Sequence, residues 1–260
     1  MSIPTRAPAA LIEEARLRAG GAYTALGSCD DVRMSTTERP TGSLNVIGSV
    51  DELTALYGEP AEVAQNKIID RLDIHCREFI ARSPFFLMAT SSAEGRCDVS
   101  PRGGPRGFVE LLDEKHLVFA DAKGNKLLDS LRNIVTTGQI GLLFLIPGLD
   151  ETLRVNGRAW VTRDPAILER HEIQEGRPPR LAVVVEVEEA FLHCAKALIR
   201  SDLWEPESWP SLDGMARPAQ IWKDHAALTT TPVEELQSYL DDEYANDLYW
   251  EPAEDSDSNR

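Results

Sequence analysis

Between Phe85 and Phe191 the chain is cut into short apolar runs, each closed by turn chemistry, and this punctuation restricts the fold more than any other feature. "FFLMATSS" is followed by "AEG", "RCDVS" by a Pro/Gly/Arg stretch, "GFVELL" by "DEK", "HLVFAD" by "AKGN", and "QIGLLFLI" by "PGLDE". "TLRVNGRAWVT" and "RLAVVVEVEEAF" complete the series, the second alternating in Val183, Val185 and Val187. Some six or seven strands at meander spacing predict a mainly β fold, an antiparallel sheet closed into a small barrel. One short helix interrupts them, "KLLDSLRNI", with Leu127, Leu128, Leu131 and Ile134 expected to face inward.

The flanks read differently. Residues 1–48 show weak periodicity with one helical candidate at Leu11 to Ala19, and are expected to be an extension docked on the main body. Ser49 followed three positions later by Glu52 is the spacing of a capping box, and predicts a short helix ending at Gly58. Pro60 suits the first turn of a second helix over 60–81, whose apolar face is Val63, Ile68, Ile69, Leu72, Cys76, Phe79 and Ile80. The barrel with its leading helices is expected over 49–210. A C-terminal extension over 211–260 carries an acidic tail in which Tyr239, Tyr244, Tyr249 and Trp250 are interleaved.

Charge narrows the partners. The formal net charge is -16, but from Thr231 to Arg260 ten carboxylates stand against one arginine, so the tail holds more than half of it. From Arg96 to Arg132 seven basic side chains slightly outnumber six acidic ones, and an anion would prefer this middle region. No basic footprint suits a nucleic acid or an anionic membrane. The longest apolar runs, "GLLFLI" and "LAVVV", are far short of the roughly 20 residues of a membrane helix. Glu13 and Glu14 interrupt the N-terminus before a signal-like apolar region develops, so a cytoplasmic address is the expectation. Four scattered cysteines, Cys29, Cys76, Cys97 and Cys194, form no metal-ligand spacing and are expected to be reduced thiols, mostly packing residues.

Two segments carry the chemistry. "CDVSPRGGPRGFV" and "DAKGNKLLDS" both lie at strand ends that a meander places side by side, and both combine cations, glycines and small polar side chains. A phosphate monoester carries about -1.5 to -2 charge near neutrality. Arg102 offers it a bidentate fork, Lys126 a point charge, and the "GNK" turn leading into a helix offers free amides. No GxxxxGK[ST], GxGxxG, GxSxG or HExxH occurs, which disfavours the common mononucleotide, dinucleotide, hydrolase and zincin arrangements.

Taken in order, "FFLMAT", "DVSPRG", "GFV", "LVFAD", "GN", "DSL", "NI", "IGLLF", "PG" and "ETLRVNGRA" resemble the FMN-binding split-barrel flavoproteins related to pyridoxamine 5'-phosphate oxidase, over about Asp51 to Trp209. The resemblance implies a six-stranded antiparallel split barrel, a homodimer, and FMN in a cleft at the subunit interface. It implies that Arg102 contacts the FMN phosphate, with Val99 and Ser100 beside the flavin and Asp121 and Ala122 along its ring. Asn125 and Lys126 fall on an Arg-Lys pair that grips the phosphate in the oxidases, Ser130 and Asn133 act as helpers, and Thr152 falls where the oxidases place a glutamine, with Arg154 two residues on. The Arg-x-His element that the oxidases use on the pyridoxal phosphate group is absent near the C-terminus.

The functional expectation is therefore an FMN-dependent oxidoreductase acting on an unidentified small molecule, with the absent Arg-x-His counting against pyridoxamine phosphate. In it the flavin does the redox chemistry and no side chain need act as a nucleophile. The alternative is a non-catalytic split barrel holding flavin or haem, with His193 and the cysteines as haem-ligand candidates. Arg106 either rigidifies its loop or guards the cleft, and Cys194, Lys196 and Arg200 either meet substrate or close the dimer.

Overall fold

The computed structural model describes residues 45–171 and 179–246. The helix expected at Leu11 to Ala19, Cys29 and the end of the acidic tail lie outside them. The chain divides into two units, Met1–Lys67 and Ile68–Arg260. In the first, α1 (Val50–Tyr57) and α2 (Glu62–Asn66) are short helices. Ser49 caps α1 by accepting from the Glu52 amide, and the Glu52 carboxylate accepts from the Gly48 N–H at 2.9 Å. The Ser49 and Glu52 spacing thus closes the helix start as the sequence predicts, although glutamate reaches one residue further back than the cap itself.

The second unit begins where the expected 60–81 helix breaks. Ile69 exchanges two backbone hydrogen bonds with Ala190, at 3.0 and 2.7 Å, so its peptide groups are not available to a helix. Asp73 then caps a new helix, α3 (Ile74–Arg82), by accepting from the Cys76 amide at 2.8 Å. Cys76, Phe79 and Ile80 are its buried face.

Seven strands follow: β1 (Phe85–Ser91), β2 (Cys97–Gly103), β3 (Val109–Leu111), β4 (His116–Ala120), β5 (Gln139–Leu145), β6 (Thr152–Thr162) and β7 (Ala182–His193). They form one antiparallel sheet in the order β2-β1-β5-β6-β7-β4-β3. Flat, such a sheet would hold its outer strands about 29 Å apart at the usual strand spacing. The connection from Gly103 to Val109 reaches about 22 Å at most. The sheet must therefore curl until its two edges approach. Those edges do not pair among the described residues, so the sheet is a split barrel as the resemblance implied, with seven strands rather than its six, and is not the closed barrel that the strand spacing alone suggested. Pro101 fits this arrangement, since a residue without an N–H is tolerated on an edge strand.

The interior is apolar. Phe86 packs edge-on against Phe119 and tilted against Phe144, both at 5.0 Å between centroids, and stacks on Phe108 at 5.6 Å. α4 (Asp129–Thr137) adds Leu131 and Ile134 to the same core, and ends at Gly138 in the left-handed region. α5 (Pro165–Leu168) covers a second small cluster on the outer face, Val118, Ala182 and Val184 with Ile167. Along β7 the buried set runs Val183, Val185, Val187 and then Ala190, because Glu188 is an extra residue in a bulge opposite Asn156 and Gly157. Beyond β7 lie α6 (Lys196–Arg200), α7 (Pro218–His225) and α8 (Val233–Asn246), with Leu240 of α8 and Ala219 of α7 buried.

Candidate functional site

Strand alternation on β2 sorts its side chains. Asp98, Ser100 and Arg102 pair with Thr90, Met88 and Phe86, all buried, and so share the inner face. Val99 points the other way and is 62% exposed, so its side chain does not join Ser100 and Arg102. The curl brings the inner face of β2 towards the chain leaving β4 at Asp121, and α4 packs across β1, β2, β5 and β6 beside it. A polar seam results where the two edges of the sheet approach.

Hydrogen bonds tie the seam together. Asn133 Nδ2 donates to Thr90 Oγ1 at 3.0 Å, and Thr90 Oγ1 makes a longer donation, 3.4 Å, to Asp98 Oδ2. Ser130 Oγ donates to the same carboxylate oxygen at 2.5 Å, and Ser100 Oγ lies 2.8 Å from Ser130 Oγ. Thr90 and Ser130 are buried, whereas Ser100 is half-buried at the seam. Asp98 and Thr90 were not picked out from the sequence. The signal for Asp98 was its period-two alternation with Ser100 and Arg102, hidden because Pro101 made the strand read as ending at Ser100.

Among the described residues Arg102 has no ion-pair partner within salt-bridge distance; it donates to the Pro101 carbonyl at 3.2 Å. Burial lowers its affinity for its proton, with Asp121 and then Asp98 opposing that through their charge. Asp121 is the reciprocal case: burial pushes its carboxyl up and Arg102 pulls it down. Ala122, the next residue on the chain leaving β4, is exposed.

The loop from Asp121 to Leu128 departs from the sequence reading. α4 starts at Asp129, not at Lys126, and Leu127 and Leu128 are 60% and 48% exposed rather than inward. The reason is backbone conformation: Lys126 and Leu128 have φ of 64° and 61°, the left-handed region that bulky residues seldom adopt. Strain of that kind costs on the order of 1–3 kcal/mol per residue and gathers at ligand clamps. Asn125 supports the turn, its Oδ1 accepting from the Leu127 amide at 3.1 Å. No side chain caps α4, so its first amides face the loop.

Thr152 and Arg154 are not brought to this seam. They flank Leu153 on β6, whose row continues through Phe144 and Phe86 to Arg102, and therefore lie on the opposite face of the sheet. Arg154 rests over the Phe191 ring at 5.2 Å, and Thr152 pairs with His193 at the end of β7. Cys194, Lys196 and Arg200 are exposed just beyond it, and Arg106 is exposed at the tip of the β2–β3 turn. Of the described cysteines only Cys76 is buried, with its thiol pushed up to about 11 by burial; Cys97 and Cys194 are exposed rather than packed. A shallow groove of about 290 Å³ lies elsewhere, around Gly141, Asn156 and the Glu188 bulge. Among the described residues no helix is long and apolar enough to cross a membrane.

Comparison with known proteins follows the same region. Residues 72–194 match the family model described as pyridoxamine 5'-phosphate oxidase. No curated protein matches the chain. Solved structures that match include HupZ of Group A Streptococcus, at 19% identity over 46% of this chain and 92% of that one, with a TM-score of 0.37. HutZ, the heme storage protein from Vibrio cholerae, matches at 17% identity over 47% and 94%, with a TM-score of 0.35. A Clostridium acetobutylicum protein of the pyridoxinephosphate oxidase family matches at 14% identity over 46% and 86%, with a TM-score of 0.32.

Proposed function

Since residues 72–194 form a split-barrel domain of the pyridoxamine 5'-phosphate oxidase family, we propose that the seam holds FMN and that the protein is an FMN-dependent oxidoreductase acting on a small molecule. The observation that carries this reading is Arg102, a partly desolvated guanidinium on the inner face of an edge strand with no salt bridge to either nearby carboxylate. Such a group favours an anion that can take both prongs of its fork. Lys126 and the uncapped amides at the start of α4 supply further positive potential to the same loop. Asp121, whose carboxyl is pushed up by burial and pulled down by the Arg102 charge, borders the same site. Asn125 has a separate duty, shaping the turn from which Lys126 projects.

Bound there, FMN would supply the two-electron redox chemistry. The residues of this chain bind, orient and exclude water. The outer face of β2, β1 and β5 is rich in apolar side chains, Val99, Pro101, Leu87, Leu143 and Leu145, with Arg154 of β6 set beside them. We place a second copy of the chain against it, which would bring Arg154 of one copy towards the flavin of the other, while Thr152 lies buried within its own chain. We take the setting to be cytoplasmic, where exposed thiols such as Cys97 and Cys194 are kept reduced.

The test is direct. Purified protein should show flavin absorption in the visible range, sediment as a dimer and carry one FMN per chain. Anaerobic reduced nicotinamide or deazaflavin should bleach it, and air should restore it. Colourless protein that takes up no added FMN would discard the flavin reading. Flavin that is bound but never cycles with any reductant would leave a binding protein.

A further inference from the structure

We propose that Ser100 forms an acceptor-only wall of the seam, built to receive a hydroxyl or N–H of the bound ligand and unsuited to its phosphate. This rests on the seam being the ligand site, and it assigns Ser100 and Ser130 a role different from phosphate binding.

The reasoning is proton arithmetic. A serine or threonine hydroxyl has one proton to give and two lone pairs with which to accept. Asp98 has none to give as a carboxylate, so the contact at 2.5 Å fixes the Ser130 proton on the line to Asp98. Ser130 therefore has nothing left to donate, and the contact of 2.8 Å between the two serines can only be Ser100 donating to Ser130. Thr90 is committed in the same sense, giving its proton to Asp98 and accepting from Asn133. Every proton in the chain points inward to one carboxylate.

The consequence is felt at the outer end. Ser100 is half-buried, opens on the seam, and meets no donor among the described residues, so it presents lone pairs alone. A phosphate near neutrality brings mainly acceptor oxygens and would meet them with repulsion. An alcohol hydroxyl, such as those on the polyol chain of a flavin, or a ligand N–H, brings the missing proton. Two residues along the same face, Arg102 offers only donors. The strand thus carries a donor and an acceptor side by side, which fixes which end of a ligand lies over which residue. Ser100 is a binding and orienting residue in this scheme, and Asp98 a positioning residue that acts through Ser130.

Affinities of the flavin-free protein for FMN and for riboflavin, which lacks the phosphate, separate the two roles. In Ser100→Ala both affinities should fall by the same factor, about fivefold for one neutral hydrogen bond, leaving their ratio unchanged, and Ser100→Thr should restore them. A loss confined to FMN, or no loss for either flavin, would overturn the proposal. Neutron diffraction of deuterated crystals decides the proton order without any ligand. Deuterium on Ser100 directed at Ser130, and on Ser130 directed at Asp98, is the expected result; a Ser100 deuteron turned outward would refute it. Should neither flavin bind, the flavin reading falls and the neutron result still settles the character of the wall.

Discussion

Replacing Arg102 by alanine separates the ligand's phosphate from the rest of the ligand. A fork contributes two charge-assisted hydrogen bonds, each worth about 1.5–3 kcal/mol when made. Arg102 is only partly desolvated, so solvent screening favours the lower end of that range. The loss in FMN affinity should then be about 3 kcal/mol, on the order of 100-fold. Lysine at the same position keeps the charge and loses the planar fork, for a loss of about tenfold. Riboflavin has no phosphate and should bind Arg102→Ala as it binds the parent. Stability should barely change, because the side chain donates only to its neighbour's carbonyl at Pro101 and holds no salt bridge. Quenching of flavin fluorescence on titration with flavin-free protein gives both constants, and a thermal melt checks the fold. If Arg102→Ala bound FMN as tightly as the parent with an unchanged melt, Arg102 would not be the phosphate anchor.

Two further outcomes concern the scaffold. An alanine Cβ at Gly157 would lie 2.0 Å from the Glu186 carbonyl oxygen, which is backbone and cannot rotate away. Gly157→Ala should therefore force β6 from β7 at the bulge and cost about 3 kcal/mol or more, a fall in Tm on the order of 10 °C; a melt within a degree or two of the parent would show the bulge to be soft. His171, its side chain 9% exposed and 3.4 Å from a Glu110 carboxylate that also pairs with Arg170, has its pKa lowered by burial and then by Arg170. The folded ring stays neutral while the unfolded one takes up a proton near pH 6.5, so stability should be full above that pH and decline as pH falls through it, levelling below the folded value. Urea titrations across that range should show a shallower decline in His171→Gln, and an identical decline would remove His171 as the cause.

Much of the fold was legible because its signals are local. The alternation of Val183, Val185 and Val187 marks one face of a strand whatever surrounds it, and Ser49 with Glu52 closes a helix end within four residues. What was hidden depends on partners far along the chain. Ile68 and Ile69 continue a helical period from Val63, yet the backbone of Ile69 is claimed by Ala190. Leu127 and Leu128 look like an inward helical pair, but the left-handed turns at Lys126 and Leu128 lie ahead of the helix. Pro101 made β2 read as ending at Ser100, and only the strand order reveals an edge where proline is harmless. With β2 extended through Gly103, Asp98 would have been found beside Ser100 and Arg102 by counting in twos.

The strand order also sets when this protein can fold. β1 must wait for β5, and the Ser83 hydroxyl donates to the Leu145 carbonyl 62 positions later. β4 likewise completes itself only on β7, where Phe119 meets Val183. Contacts of such long sequence separation place the chain among the slower folders, in the millisecond to second range. During synthesis the β1–β2 hairpin leaves the ribosome well before the strands that cover Phe86 and Met88. Its apolar face stays open until β7 has cleared the exit tunnel, an interval in which chaperone capture competes with self-association.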